Sequence, residues 1–206
     1  APPRRRRLGT AAAAIVALAV AVAMWYAPPA INVLENPLAS AQFTRFTDFP
    51  GTELDAAISP DGRFVAFLAD CEGKYDIWLS QVGSGRYVNL TPDQEDDRRS
   101  PVRTVGFSGD GSEIVIGGSP DGRRMQLMPL LGGTPRVFLG ETAINVAWSP
   151  DGARMVYHTR DDGDPMFVAD RTGANARQIF VDRAGIHNHF PVWSTDGQWI
   201  YFVHGF

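Results

Sequence analysis

Ser59-Pro60-Asp61-Gly62 is the stretch that decides the fold, because related tetrapeptides follow a large apolar residue at three more places along the chain, whereas the identical Ser119-Pro120-Asp121-Gly122 follows Gly118. The three further tetrapeptides are Ser108-Gly109-Asp110-Gly111, Ser149-Pro150-Asp151-Gly152 and Ser194-Thr195-Asp196-Gly197. Ser, Pro, Asp and Gly suit successive positions of a tight turn between two strands. Counted from serine to serine, the spacings are 49, 41 and 45 residues. A period of about 40–50 residues with strand-like content is typical of propeller blades.

Each turn lies between segments that have the character of strands. A large apolar residue precedes it, in chain order Ile58, Phe107, Trp148 and Trp193, and a β-branched or aromatic run follows it. Further short runs, separated by Gly-containing turns, complete sets of four strands, and four antiparallel strands make one propeller blade. The sequence therefore predicts an all-β fold, a partial β-propeller of about three and a half blades, preceded by one transmembrane helix.

The transmembrane prediction rests on residues 8–26, which carry no charge. As a helix this segment spans about 28 Å, close to the roughly 30 Å of a bilayer's hydrocarbon core. Trp25 and Tyr26 lie where an aromatic belt anchors such a helix, and Arg4 to Arg7 favour a cytoplasmic position for residues 1–7. A cleaved signal peptide is the alternative interpretation of the same residues.

Charge limits the kinds of partner that the chain can bind. The formal net charge is −4, from 19 Lys and Arg against 23 Asp and Glu. Without Arg4 to Arg7 the balance is 15 against 23, or −8, so we expect no nucleic-acid contact from the repeats. The single cysteine, Cys71, excludes an internal disulfide framework and a cysteine-based zinc cluster.

The repeats resemble those of TolB-like β-propeller proteins. The resemblance rests on the four turns, the apolar residue before each turn, and the unit endings Asn89-Leu90-Thr91 and Arg177-Gln178-Ile179. Gly109 and Thr195 depart from the pattern by replacing its Pro. Basic residues, a membrane helix and then TolB-like repeats resemble the extracytoplasmic part of bacterial CadC-like regulators and receptor-type serine/threonine kinases.

The resemblance implies a place for each part of the chain. Residues 1–7 form a cytoplasmic basic flank, residues 8–26 a single-pass helix in the bacterial inner membrane, residues 27–42 a linker, and residues 43–206 a periplasmic propeller fragment. The chain begins with Ala1 and not with Met, so we expect it to be part of a longer protein.

Few polar side chains in the sequence are candidates for a metal-binding or catalytic site. His187 and His189 alternate on an extended segment, so their imidazoles point to the same side and are candidate metal ligands, although a polar surface loop is the preferred interpretation. The acidic segments 161–164 and 93–97 do not fit the full pattern of a calcium loop and are interpreted as solvated turns. The sequence predicts no catalytic residue, no cofactor and no metal. The predicted site residues are structural turn residues: Ser59, Pro60, Asp61, Gly62, Ser108, Asp110, Gly111, Ser149, Pro150, Asp151, Gly152, Ser194, Asp196 and Gly197.

Two functions remain open. The first is a membrane-anchored module that binds an envelope protein or peptide and serves a signalling or regulatory protein. The second is a propeller that gates a prolyl oligopeptidase-like serine hydrolase domain beyond residue 206. A Gly-x-Ser-x-Gly elbow downstream would favour the hydrolase, and the binding module is preferred because residues 1–206 carry no such constellation.

Overall fold

The computed structural model describes residues 16–18, 36, 38–71, 73–93, 105–117 and 124–205. The chain divides into two compact units, Ala1–Thr47 and Asp48–Phe206. In the first unit, residues 16–18 are helical and residues 38–40 form a turn, where Leu38 N–H donates to Asn36 Oδ1 over 2.9 Å. All of the strands described below belong to the second unit.

Fourteen strands run through the described residues and form four antiparallel sheets. Blade 1 contains β1 (Glu53–Ile58), β2 (Phe64–Ala69), β3 (Asp76–Gln81) and β4 (Tyr87–Asn89). Blade 2 contains β5 (Val105–Phe107), β6 (Glu113–Ile116), β7 (Gln126–Pro129) and β8 (Arg136–Val137). Blade 3 contains β9 (Ala143–Trp148), β10 (Arg154–Thr159), β11 (Met166–Asp170) and β12 (Arg177–Phe180). Blade 4 contains β13 (Asn188–Trp193) and β14 (Ile200–His204).

The strand order of every sheet follows the chain, as in a propeller blade. The first strands of neighbouring blades come together at two junctions, where β1 contacts β5 and β9 contacts β13. Such contacts are expected of the innermost strands around a common axis. The predicted all-β fold of four-stranded antiparallel sheets, a partial propeller, is therefore confirmed.

The repeated tetrapeptide forms the same hydrogen-bonded turn four times. The Ser hydroxyl donates to the Asp carboxylate two residues later, over 2.5 to 2.8 Å. The same carboxylate oxygen accepts the N–H of the residue after Gly, over 3.0 to 3.1 Å. The Gly residues have φ between 66° and 72°, a left-handed conformation that glycine adopts without steric cost. These bonds explain why Ser, Asp and Gly recur together.

Apolar side chains fill the spaces between the first three blades. The cluster between blades 1 and 2 is made of Ala66, Leu68, Ile77, Leu79, Val105, Phe107, Ile114, Ile116 and Met128. The cluster between blades 2 and 3 is made of Val115, Met125, Leu127, Phe138, Ala143, Met155, Tyr157 and Ala169. Burial of one large apolar side chain contributes about 1.5–3 kcal/mol. The packing of blade on blade is therefore the main source of stability.

The predicted membrane helix, residues 8–26, lies outside the described residues except for 16–18, which are helical. Within the described ranges, no helix has the length and hydropathy needed to cross a bilayer. Residues 1–7 and most of the predicted linker, 27–42, also fall outside the described residues, as does most of the acidic segment 93–97.

Candidate functional site

Two kinds of connection gather at one end of the propeller. Because the strands are antiparallel, the turns from first to second strand lie at one end, and the loops from second to third strand lie at the other. The connectors from one blade to the next also start at this second end. We call it the loop end, and in blades 3 and 4 it consists of the loop 160–165 and the connector 181–187.

Bulges in the innermost strands shape this end. In β9, Asn145 and Val146 lie opposite a single residue of β10, and Asn145 has φ of 52°. In β13, Phe190 and Pro191 lie opposite a single residue of β14, and Phe190 has φ of 58°. A bulge bends its strand and redirects neighbouring side chains, and bulges are common next to functional sites.

His158 is a polar residue at a position that is apolar in other blades. It lies nine residues after the turn serine Ser149, at the position that Leu68 has in blade 1 and Val203 has in blade 4. The ring is fully buried, with Nε2 2.8 Å from Asn145 Oδ1 and Nδ1 3.3 Å from the Thr159 carbonyl oxygen. Burial, assisted by His189 nearby, lowers the pKa of His158 to about 4. The imidazole is therefore neutral at neutral pH and keeps a lone pair.

Asp164 collects three donors on one carboxylate oxygen. It is 5% exposed, so its side chain points inward from the loop between β10 and β11, and its backbone has φ of 43°. Oδ2 accepts Asn188 N–H over 3.0 Å and His187 Nδ1 over 3.0 Å, and it lies 2.9 Å from His189 Nε2. Burial acts to raise the pKa of Asp164, but the hydrogen bonds from Asn188 and His187 and the nearby His189 outweigh it and lower that pKa.

Histidines from blades 3 and 4 meet around this carboxylate. The rings of His158 and His189 stack with centroids 4.9 Å apart and planes inclined by 21°. The rings of His187 and His189 meet edge to face at 5.4 Å. One potential ligand atom from each of His158, Asp164 and His189 lies within 4.8 Å of the other two. Two imidazoles and a carboxylate at this separation are a donor set that can hold a metal ion.

An outer layer of hydrogen bonds holds the three residues. The fully buried Asn188 donates through Nδ2 to the Gly163 carbonyl over 3.2 Å, and its Oδ1 lies 2.7 Å from His204 Nδ1. His204 also lies 3.4 Å from Asp182 Oδ2. Gly163, with φ of 80°, packs so closely on Asp182 that a Cβ would overlap its carbonyl oxygen. The loop 160–165 is thereby fixed to the connector 181–187.

The structure separates the residues that the sequence singled out. The turn residues lie at the opposite end of the blades, and their side chains bond within the turns. His187 and His189 both contact Asp164 at the loop end. The sequence pattern predicted that Asp164 is part of a solvated turn, yet its side chain is buried. His158 was not predicted at all, although the polar residue at an apolar repeat position was a signal that could have found it.

A cleft of about 290 Å³ lies between blades 2 and 3 at the turn end, which is the end opposite the loop end and carries the turns from first to second strand. Trp148, Phe138 and Gly109 line it, and Arg136 closes one side through a pair of hydrogen bonds to the Glu113 carboxylate, 2.8 and 3.0 Å long. The cleft shares no residue with the histidine cluster. Two more charged residues, Asp110 and Arg171, also line the cleft, and Asp110 accepts hydrogen bonds within its own turn.

Comparisons with known proteins bear on the fold. No protein-family model and no curated protein matches the chain. Among solved structures, TolB from Acinetobacter baumannii is 18% identical with a TM-score of 0.60, over 75% of this chain and 38% of that one. A structure described as TolB from Agrobacterium tumefaciens is 25% identical with a TM-score of 0.52, over 74% of this chain and 54% of that one.

A chain of the nidogen/laminin complex is also similar, at 12% identity and a TM-score of 0.54, over 75% of this chain and 57% of that one. The chain thus spans less than two thirds of the length of each of these structures. The similarity shows a TolB-like β-propeller fold, in agreement with the resemblance that the repeats carry.

Proposed function

We propose that the chain is a membrane-anchored binding module whose propeller lies outside the cytoplasm and recognises a protein or peptide of the cell envelope. The observation that carries the proposal is the propeller itself, because its blades form a rigid scaffold that presents several loops at one end. In blades 3 and 4 these loops are held in place by the hydrogen bonds around Asp164 and Asn188. Preformed loops lose little conformational entropy on binding.

The structural neighbours support a binding role. One of them is a chain of a complex between two proteins, nidogen and laminin, and two are described as TolB. The charge of this chain supports a protein partner over nucleic acid, since residues 8–206 carry 15 basic and 23 acidic side chains. The membrane anchor rests on the uncharged segment 8–26 and on Arg4 to Arg7 before it.

A membrane fractionation experiment tests the anchor. A tagged full-length chain expressed in a Gram-negative host should stay in the membrane pellet after a carbonate wash. Ala17→Arg places a charge at the centre of the segment, which costs about 2.5–3.5 kcal/mol on the insertion scale, and should release the chain. Ala17→Leu is the matched control and should keep it in the pellet. Release of the wild-type chain by carbonate would contradict the anchor.

Site-specific crosslinking tests the binding surface. A photo-crosslinking amino acid at Asp162 or Arg183, both exposed at the loop end, should capture a discrete envelope protein in cells. The same amino acid at Ser84, which is exposed in the turn from β3 to β4 at the turn end, is the control and should capture none. Identical adducts from both ends, or none from the loop end, would count against recognition by these loops.

Gating of a downstream hydrolase stays a prediction from the sequence. None of the observations on the described residues favours it over the binding module. The sequence that follows residue 206 in the intact gene is its direct test, since the hydrolase requires a Gly-x-Ser-x-Gly elbow followed by Asp and His.

A further inference from the structure

We propose that His158, Asp164 and His189 bind one divalent transition-metal ion, and that zinc is the ion that these ligands fit best. His158 and Asp164 belong to blade 3 and His189 belongs to blade 4, so the ion would join the two blades at the loop end. The proposal does not depend on membrane anchoring or on the identity of a binding partner.

The spacing of the three ligand atoms suits a metal ion after small adjustments. Zinc lies about 2.0–2.1 Å from each nitrogen or oxygen ligand, which places tetrahedral ligand atoms about 3.4 Å apart. Asp164 Oδ2 and His189 Nε2 are 2.9 Å apart, and each of the three residues has one atom within 4.8 Å of the others. The more widely separated ligand atoms, which lie within 4.8 Å of one another, must therefore move closer together when the ion binds.

The surroundings of His158 are those of a metal-ligating histidine. Such a residue donates one ring N–H to a carbonyl or carboxylate, which fixes the tautomer and directs the other nitrogen to the ion. Both ring nitrogens of His158 face oxygen acceptors: Nε2 lies 2.8 Å from Asn145 Oδ1, to which it donates, and Nδ1 lies 3.3 Å from the Thr159 carbonyl oxygen. Metal binding through Nε2 therefore requires the proton to move to Nδ1, where the Thr159 carbonyl accepts it. The Asn145 side chain, 2.8 Å from Nε2 and set on a bulge, lies on the side from which an ion would approach.

The surroundings of Asp164 also suit a ligand. Asn188 N–H and His187 Nδ1 both hydrogen-bond to Oδ2, and these contacts fix the orientation of the carboxylate. We assign His187 to this orienting role because its Nδ1 faces the carboxylate oxygen and its side chain is 52% exposed. Three protein ligands then leave one position for a water molecule.

The chemistry of the ligands selects the class of metal. Calcium and magnesium are bound through oxygen atoms, and only one of the three side chains supplies oxygen. Neutral imidazole favours zinc and the later first-row metals, and a carboxylate is compatible with them. The two imidazoles and the carboxylate therefore point to zinc and its neighbours, and Co²⁺ can replace zinc as a spectroscopic probe.

The test uses the full 206-residue chain in detergent, stripped with a chelator and then titrated with Zn²⁺ by calorimetry and with Co²⁺ by visible absorption. The wild-type chain should bind one equivalent of each metal and show cobalt ligand-field bands. Asp164→Asn should weaken binding at least 100-fold. Asn tolerates the positive φ of this position and retains an acceptor for Asn188 N–H, so we expect this variant to fold.

Matched controls separate a built site from loose surface binding. Asp162→Asn removes the same charge from an exposed position in the same loop and should leave the affinity unchanged. His204→Gln removes a histidine that hydrogen-bonds to Asn188 and not to a proposed ligand, so it should weaken binding far less than Asp164→Asn does. The proposal would be overturned if these controls lost as much metal affinity as Asp164→Asn, or if the wild-type chain bound no stoichiometric metal.

Thermal unfolding supplies a readout that does not depend on any activity. A zinc concentration of 100 times Kd should raise Tm of the wild-type chain and of Asp162→Asn by roughly 5–10 °C. It should not raise Tm of Asp164→Asn or of His189→Gln. Wild-type affinity in both of these variants would refute the assigned ligands, and Tm in chelator shows that each variant is folded.

Discussion

At the residue scale, the recurring Asp of the turns carries a clear physical signature. In all four turns a Ser hydroxyl and a backbone N–H lower the pKa of the Asp carboxyl. The effect is large in Asp110, where the Ser112 hydroxyl contributes most, followed by the Ser112 N–H and the Ser108 hydroxyl, and lowers the pKa to about 2. The unfolded chain therefore takes up these protons at a higher pH than the folded chain does. The stability contributed by these carboxylates is complete above the ordinary Asp pKa and falls as the pH falls.

The lowered pKa of these carboxyl groups predicts how the stability of the chain changes in acid. The free energy of unfolding should decrease from about pH 4 down to about pH 2, the window between the ordinary pKa and that of Asp110. Urea unfolding measured at several pH values gives the slope. Asp110→Asn should make it smaller, because one of the contributing protons is gone. Equal slopes for the wild-type chain and for this variant would show that the turn carboxylates do not control acid stability.

Gly109 explains a departure from the repeat pattern. Its position holds Pro in two of the other turns, but here the turn of blade 3 packs directly against it. A Cβ on Gly109 would lie 2.5 Å from Trp148 Cδ1 and 2.9 Å from Gly152 Cα. The neighbouring blade, and not the turn itself, therefore excludes a side chain.

We predict that Gly109→Ala lowers the free energy of unfolding by about 1–3 kcal/mol, because Trp148 and the backbone of Gly152 must move. Gly140→Ala is the matched control, since a Cβ there has no atom within 4 Å, and it should change stability by less than about 0.5 kcal/mol. Urea denaturation of both variants provides the measurement. A Gly109→Ala variant as stable as the wild type would mean that the turns are not packed as described.

At the element scale, the unit ending Asn89-Leu90-Thr91 closes blade 1 through a buried carboxylate. Asp76, which is 1% exposed, accepts hydrogen bonds from Lys74 Nζ over 2.6 Å, Asn89 Nδ2 over 2.9 Å and Thr91 Oγ1 over 3.1 Å. Thr91 Oγ1 in turn accepts Ile77 N–H over 2.9 Å. The start of β3 is thereby joined to the chain after β4.

A pair of substitutions at Thr91 tests this closure. Thr91→Val keeps the shape of the side chain but removes the hydroxyl, so Ile77 N–H and Asp76 each lose a partner in a buried site. It should lower the free energy of unfolding by about 1–3 kcal/mol. Thr91→Ser keeps the hydroxyl and should lower the free energy of unfolding by less than Thr91→Val does. Hydrogen exchange at Ile77, which should become faster in Thr91→Val alone, provides a second measurement, and equal effects of the two variants would contradict the prediction.

The elements could be predicted from the sequence further than the site could. Local turn chemistry and the apolar residue before each turn are adjacent in the chain, so they reveal the strands and their antiparallel order. The site depends on distant residues: Asn188 N–H reaches Asp164 across 24 positions, and the His189 ring stacks on His158 of another blade. The alternation of His187 and His189 indicated a shared direction, but the bulges at Asn145 and Phe190 that shape this end leave no simple sequence pattern.

At the scale of the whole molecule, the junctions between blades differ in chemistry. The clusters between blades 1 and 2 and between blades 2 and 3 are apolar, and one hydrogen bond, from Val105 N–H to Asp55 Oδ2 over 2.9 Å, also joins blades 1 and 2. Between blades 3 and 4, Trp193 Nε1 donates to the Ala147 carbonyl over 3.2 Å and the Arg154 guanidinium lies 4.8 Å from the Trp193 ring. Phe180 contacts Phe202 at a centroid distance of 5.0 Å, and the stacked rings of His158 and His189 lie at the loop end. The fourth blade is thus attached by directional contacts as well as by apolar area.

Directional attachment predicts that Trp193 is more important for blade 4 than the neighbouring Trp199, whose side chain is 66% exposed. Trp193→Phe removes the hydrogen bond to Ala147 and weakens the interaction with Arg154, and it should lower the free energy of unfolding by about 1–2 kcal/mol. Trp199→Phe, the matched control, should change it by less than about 0.5 kcal/mol. Because the lost contacts join blade 4 to blade 3, hydrogen exchange in β13 and β14 should accelerate in the first variant while exchange in β2 and β3 stays unchanged. Acceleration spread evenly over all blades would instead mean that the propeller unfolds as one cooperative unit in which this junction has no separate stability.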